Sequence, residues 1–108
     1  MKNSDLEYKV LRNFENNPQL TQRQMAEELG LSLGKTNFII KALLDKGLLK
    51  FENFKKSDHK IGYLYLITPT GVLRKTNLMV NFLKRKSIEY KALKEEIDFL
   101  KKQLNKLL

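Results

Sequence analysis

Three polar side chains between residues 32 and 46 are of types that suit hydrogen bonding to nucleic acid. Lys35 and Lys41 carry positive charge, which attracts phosphate. Asn37 has the donor and acceptor that match the major-groove edge of adenine. A helix over this segment places Lys35, Phe38 and Lys41 opposite its apolar residues. The pattern therefore predicts a helix that is buried on one side and basic on the other, as in helices that read the DNA major groove.

The composition excludes several classes of function. The chain has 108 residues, no cysteine and one histidine, so disulfides, thiolate chemistry and a cluster of histidine metal ligands are unavailable. It also lacks a Gly-rich phosphate loop and a Ser-His-acid set. We therefore expect one small domain with no enzyme activity, no metal and no cofactor.

The charge of the chain favours an anionic partner. It contains 21 basic and 12 acidic residues, for a formal net charge of +9, and the excess is largest over residues 67–108. A basic excess favours polyanions through counterion release, although charge alone does not identify the polyanion. The sequence has no apolar run of the roughly 18 residues that a membrane span needs, and we expect no signal peptide because residues 1–9 lack its apolar stretch. We expect a cytoplasmic, nucleoid-associated protein.

Helical spacing of apolar residues begins near the N-terminus. It predicts a first helix over about residues 5–16, with Ser4 and Glu7 at the spacing of a capping box. This helix is expected to stop at the asparagines before Pro18, because the residue before a proline disfavours helical geometry.

Two further helices are predicted around a glycine turn. The second begins at Thr21, which forms a capping box with Gln24, and ends at Gly30 in the left-handed conformation. The third is capped by Ser32 and stops before Gly47. Two short helices joined in this way are typical of a helix-turn-helix.

The third helix has one unexpected residue. Thr36, Ile40 and Leu43 fall on one side and are predicted to enter the core. Phe38 falls on the opposite side, with the lysines, where the packing of a core has no need of an aromatic ring. It is either a contact for a partner or a residue that packs on a neighbouring element.

A hairpin and a long helix are predicted to follow. Residues 48–54 and 61–68 are rich in apolar, β-prone types, and the segment between them, residues 55–61, is polar and basic. Thr68 can cap the last helix and Pro69 suits its first position. Helices followed by a hairpin in this order give the winged-helix arrangement, in a mainly α fold with a small β-hairpin.

The last helix carries a heptad repeat. Leucine or isoleucine recurs at steps of 4, 3, 4 and 3 residues from Leu93 to Leu107, as at the a and d positions of a coiled coil. The apolar seam is too long for the small preceding domain to cover, so a partner helix is expected. The residues assigned to dimerisation are Leu83, Tyr90, Leu93, Ile97, Leu100, Leu104 and Leu107.

Charges beside the seam favour one orientation. Glu89 and Glu96 occupy g positions, and Lys94 and Lys101 occupy e positions. In a parallel dimer each glutamate faces a lysine of the partner, whereas an antiparallel dimer brings like charges together. We therefore expect a parallel homodimer. The predicted domains are a winged helix-turn-helix at 1–68 and a C-terminal helix at 69–108, with the coiled coil at about 83–108.

The order of these motifs resembles a known family. The stretch LTQRQMAEELGLSLGKTNFIIKALLDKGLLK, followed by LYLITPTG, resembles the MarR-type winged helix-turn-helix regulators, closest to their small exopolysaccharide-associated branch. The resemblance covers about residues 10–86. It implies a dimeric, sequence-specific bacterial transcription regulator that binds double-stranded DNA at a palindromic operator.

The resemblance also implies which residues touch DNA. It places the recognition helix, residues 32–46, in the major groove and the wing, residues 55–61, on the backbone or minor groove. The start of the second helix suits a phosphate because its backbone N–H groups are free. The full set is Thr21, Gln22, Arg23, Ser32, Gly34, Lys35, Asn37, Phe38, Lys41, Lys55, Lys56 and Lys60. His59, also on the wing, is expected to be an exposed turn residue.

An alternative class fits the same pattern. The winged helix is then a protein-interaction module on a coiled-coil scaffold with no specific DNA site, Phe38 is a docking anchor, and the lysines only aid solubility. Thr21 would then act solely as a helix cap. Arg74, Lys75 and residues 84–86 either extend a basic surface or form a solvated face.

Overall fold

The elements follow the predicted order in a computed structural model that describes residues 2–108. Residues 2–108 contain four helices and one hairpin, which confirms the mainly α fold with a winged helix. The elements are α1 (Asn3–Asn16), α2 (Gln22–Leu29), α3 (Leu33–Asp45), β1 (Leu49–Ser57), β2 (Lys60–Ile67) and α4 (Pro69–Leu107). Within these residues, no helix has the length and hydropathy that crossing a membrane requires.

The chain divides into two compact units. The first ends at Leu78 and contains the three short helices, the hairpin and the first turns of α4. The second runs from Met79 to Leu108 and is helical as far as Leu107. Only the first unit has a buried core. In the second unit none of the residues is buried within the single chain.

The start of α1 differs from the prediction. The helix begins at Asn3, two residues earlier than expected, and Lys2 is its N-cap without a side-chain bond. The predicted capping box of Ser4 and Glu7 is therefore wrong. The physical reason is that Glu7 has another partner, because its carboxylate accepts two hydrogen bonds from the guanidinium of Arg74 on α4.

The caps of α2 and α3 are as predicted. The Thr21 hydroxyl accepts a hydrogen bond from the Gln24 N–H at 3.0 Å, and the Gln24 side chain accepts one from the Thr21 N–H at 2.9 Å. The Ser32 hydroxyl accepts a bond from the Lys35 N–H at 3.1 Å. Gly30 ends α2 in the left-handed region, with φ of 67°. These bonds fix the turn between the two helices.

The core of the first unit is built from one face of each short helix. Thr36, Ile40 and Leu43 of α3 are completely or almost completely buried, as their spacing predicted. They belong to the same fully buried set as residues of α1 and α2, which comprises Val10, Leu11, Phe14 and Met25. Burying this face leaves the opposite face of α3 in solvent.

The hairpin is longer than the sequence indicated. β1 and β2 pair antiparallel from Leu49↔Ile67 to Ser57↔Lys60, with an irregularity before Ser57, and only two residues form the turn. The polar loop predicted over residues 55–61 is therefore mostly strand. Polar residues continue the pairing because both faces of the hairpin tip are solvated, so the backbone ladder does not require apolar side chains there.

Tyr65 joins the hairpin to the helices. Its N–H donates to the Pro18 carbonyl at 3.0 Å, and its ring lies 4.8 Å from the ring of Phe14. Its hydroxyl accepts a bond from the Gln22 side chain at 2.8 Å. The sequence did not predict these contacts, because they link residues more than 40 positions apart.

Thr68 and Gly71 fix the start of α4. The Thr68 hydroxyl accepts a bond from the Gly71 N–H at 3.0 Å, which confirms the predicted cap, and donates to the Gly47 carbonyl at 2.7 Å. Gly71 is buried against the Leu48 carbonyl. A Cβ at Gly71 would overlap with that oxygen and would lie 2.8 Å from Cγ1 of Ile67.

We predict that Gly71→Ala lowers the free energy of unfolding by about 1–3 kcal/mol, because the added carbon forces the backbone apart. The matched control is Gly34→Ala, where a Cβ meets nothing within 4 Å and stability should be unchanged or slightly higher. Urea unfolding followed by circular dichroism, at one fixed protein concentration, measures both variants. Equal stability of the two would contradict the close contact between α4 and Leu48.

Candidate nucleic-acid interface

The outer face of α3, with its N-cap, carries half of the residues that the sequence assigned to DNA. Each of them is exposed, and together they form what we call the α3 face: Ser32, Gly34, Lys35, Asn37, Phe38 and Lys41. Phe38 is 71% exposed, which confirms that it points away from the core. Its position between the two lysines follows from the helical period, since each lysine lies three residues away.

The lysines of the α3 face make no ion pair in the part of the chain that the structure describes. Within residues 2–108, neither Lys35 nor Lys41 makes an ion pair, and the same is true of Lys56 and Lys60 on the hairpin. An unpaired surface ammonium retains its full attraction for an external anion. The one acidic residue facing the same way, Asp45, lies at the last turn of α3, so the cationic part of the face is its N-terminal three turns.

The start of α2 exposes backbone donors. The capping box satisfies the N–H groups of Thr21 and Gln24, and those of Gln22 and Arg23 have no partner within the helix. Arg23 is exposed and its side chain makes no ion pair in the described part of the chain. The Gln22 side chain is instead bound to Tyr65, so only its backbone is available to a phosphate.

The wing presents its lysines near the end of the hairpin. Lys55, Lys56 and Lys60 are all exposed, but Lys55 pairs with Asp58 at 3.3 Å. His59 is an exposed residue of the turn, as expected. Lys56 and Lys60 are therefore the two unpaired cations of the wing.

Nine of the twelve candidate residues form two clusters, whereas Arg23, Lys55 and Lys60 do not line either of them. The first is the α3 face. The second is a groove of about 410 Å³ between the start of α2 and the hairpin, in which Thr21, Gln22 and Lys56 meet exposed rings of Phe51 and Tyr63. The two rings are stacked with centroids 5.5 Å apart. This aromatic wall was missed by the sequence analysis, although the alternation of tyrosines along β2 was a signal for it.

Two basic residues of α4 turn out to be structural. Arg74 binds Glu7, and Lys75 forms an ion pair with Glu15, so both link α4 to α1. They do not extend the basic surface, which had been one of the two interpretations of their charge. The sequence could not distinguish these roles, because the acidic partners lie 67 and 60 positions away.

The chemistry available at these clusters is binding chemistry. Within residues 2–108, no group of three His, Asp or Glu side chains is placed to hold a metal ion. The exposed groups are ammonium, guanidinium, amide and hydroxyl donors together with aromatic rings. Such donors bind anions and the edges of bases.

Comparison with known proteins supports this fold. A family model of winged helix-turn-helix DNA-binding domains matches residues 3–50. No curated protein sequence matches the chain. Among solved structures, the PcaV transcriptional regulator from Streptomyces coelicolor is similar, with 24% identity and a TM-score of 0.64 over 76% of this chain and 57% of PcaV.

Two further structures are similar at lower identity. The zinc-responsive MarR family member ZitR from Lactococcus lactis has 18% identity and a TM-score of 0.65, over 84% of this chain and 61% of ZitR. A MarR/EmrR family regulator from Acinetobacter sp. ADP1 has 16% identity and a TM-score of 0.66, over 92% of this chain and 71% of that regulator. This chain spans about three fifths of the length of PcaV and ZitR. The chain is a winged helix-turn-helix protein with the fold of the MarR-family transcriptional regulators.

Proposed function

We propose that this protein is a bacterial transcription regulator that binds specific sites on double-stranded DNA as a homodimer. The observation that carries the proposal is the α3 face, which holds two unpaired lysines, an amide and a phenylalanine on a helix whose other side is locked in the core. A helix with its side chains is about 10–12 Å across, and the major groove is about 12 Å wide. Residues 32–46 therefore enter the groove as the recognition helix.

The residues of the α3 face have separate roles in the groove. Asn37 pairs with the edge of adenine, and Lys35 reaches a guanine edge or a phosphate. Lys41 and the Ser32 hydroxyl contact the backbone. The exposed Gly34 lets the helix approach closely, because no side chain separates its backbone from the DNA.

The start of α2 and the wing position the protein on the DNA backbone. A phosphate binds the free N–H groups at the start of α2, where the helix dipole adds to the attraction, and Arg23 clamps it. Lys56 and Lys60, together with Lys55, follow the phosphates or the minor groove beside the recognition helix. These contacts carry no sequence information but set the register of the helix in the groove.

The second unit supplies the dimer. Its apolar seam is uncovered in the single chain, with Leu93, Leu100 and Leu104 each 55–56% exposed. A second copy of the chain fits this seam, because its a and d residues repeat without interruption from Leu93 onwards. In a parallel pair Glu89 faces Lys94 of the partner subunit, so the charges match. Two copies of the α3 face then read a palindromic operator.

The DNA-binding proposal is tested by selecting bound fragments from random duplex DNA. We expect a palindrome with half-sites about 10 base pairs apart, or a multiple of that spacing. On this operator, Asn37→Ala should cost about 1–3 kcal/mol and should cost little on unrelated DNA. Lys56→Ala should weaken binding to every sequence. It should also reduce the slope of log affinity against log salt concentration by about one for each lost phosphate contact.

The control is Lys102→Ala, which removes the same charge from the second unit and should leave the salt dependence unchanged. If Asn37→Ala binds the operator as tightly as the unaltered protein, the assignment of base contacts to α3 is wrong. If the unaltered protein shows no salt-dependent binding to duplex DNA, the chain is instead a protein-interaction module, and Phe38 becomes its first candidate anchor.

The dimer is tested by sedimentation equilibrium at tens of micromolar protein. We expect the unaltered chain to be a dimer and Leu100→Lys to be a monomer, because the substitution places a charge inside the seam. Ile88→Lys is the matched control. Ile88 is 69% exposed and lies on the opposite side of the helix, so this variant should remain a dimer.

The orientation has its own test. In a parallel dimer, Glu96→Lys should weaken association several-fold, because each exposed ion pair contributes about 0.3–1 kcal/mol and the dimer contains two copies. Adding Lys101→Glu should restore it. In an antiparallel dimer, Glu96→Lys would remove no favourable ion pair, so association would not weaken.

A further inference from the structure

Phe38 stands out among the exposed apolar residues of the first unit because of its surroundings. A single exposed apolar side chain needs no explanation on an ordinary surface. Phe38, however, lies at the centre of the α3 face, with an unpaired lysine three residues away on either side. Gly34, one turn earlier, leaves open space beside it, since a Cβ there would meet nothing within 4 Å.

The fold makes no use of the Phe38 ring. It lies at the rim of a shallow cleft of about 170 Å³ that also involves Asn3 and Glu7 of α1, and it remains 71% exposed there. Within residues 2–108 it has neither a ring–ring nor a cation–π contact. The sequence analysis gave packing on a neighbouring element as the other interpretation of Phe38. The contact with α1 is too slight to account for an aromatic side chain at this position.

The major groove offers only one kind of apolar group. Its floor consists of hydrogen-bond donors and acceptors, except for the 5-methyl group of thymine. A ring pressed against the polar edge of another base would remove water from that edge without replacing its hydrogen bonds, which costs free energy. A phenylalanine at the centre of the α3 face therefore discriminates in favour of thymine.

We propose that Phe38 is a specificity-determining residue that contacts the 5-methyl group of a thymine in each half-site. This inference rests on the proposed function, since it requires α3 to enter the major groove. It adds a residue that selects sequence by apolar contact, alongside the hydrogen-bonding Asn37. The methyl group adds about fourfold to the affinity of each half-site, which corresponds to about 0.8 kcal/mol for one buried carbon group.

The experiment replaces each thymine of the selected operator, in symmetric pairs, with deoxyuridine. Deoxyuridine keeps every hydrogen bond of thymine and lacks only the methyl group. Fluorescence anisotropy then gives the affinity of the unaltered protein and of Phe38→Ala for each operator. We expect one symmetric pair at which the unaltered protein loses roughly 15-fold, for two half-sites, and Phe38→Ala loses nothing.

Two controls make the result specific to the ring. Lys35→Ala should bind more weakly overall but remain sensitive to the loss of the same methyl groups. Phe38→Ala should unfold within about 0.5 kcal/mol of the unaltered protein, because an exposed side chain contributes little to stability.

The outcomes separate this inference from the proposed function. If the protein binds its operator but is insensitive to deoxyuridine at every position, Phe38 does not read a methyl group and the inference is overturned. The same conclusion follows if the sensitivity persists in Phe38→Ala. Absence of operator binding by the unaltered protein overturns the proposed function itself, and this inference with it.

Discussion

The anchoring of α3 by its inner face is the constraint on which the rest of the structure depends. Thr36, Ile40 and Leu43 occupy the centre of a core shared with α1 and α2, so the helix cannot rotate about its axis without exposing them. Because successive residues on a helix are 100° apart, fixing one face also fixes the direction of every side chain on the other. The orientation of Lys35, Asn37 and Phe38 is thus a consequence of packing beneath them.

Positive charge on this protein is divided between structural and available groups. The ion pairs of Arg74 and Lys75 hold the first turns of α4 against α1, and carboxylates of α1 neutralise both cations. The lysines of the α3 face have no such partners in the described part of the chain. The formal net charge of +9 is therefore not spread evenly over the surface that would attract a polyanion. The attraction that matters is concentrated where no internal acid neutralises it.

The two units differ in how far their apolar residues are exposed to water within a single chain. The first buries its apolar residues within one chain, whereas the second, from Met79 to Leu108, keeps a regular apolar seam exposed. A helix with an unpaired seam is most stable when a second helix covers it, because helical stability in proteins comes mainly from tertiary packing. In the proposed dimer the second copy provides this cover, and it also duplicates the recognition helix. Association of the two seams would then both stabilise the helix and supply two recognition helices for one operator.

Local patterns in the sequence determined the order of the helices, the caps of α2, α3 and α4, and the two faces of α3. The cap residues Thr21 and Ser32 bond within three residues of themselves and kept those partners in the fold, and helical faces follow from spacing alone. The tertiary structure decided what depends on distant partners. In the fold, Glu7 pairs with Arg74 instead of forming a capping box, and Lys75 pairs with Glu15. The Gln22 side chain binds Tyr65 of the hairpin, and the two strands continue through a polar segment. These outcomes depend on which side chains folding brings together, and spacing along one chain carries no information about that.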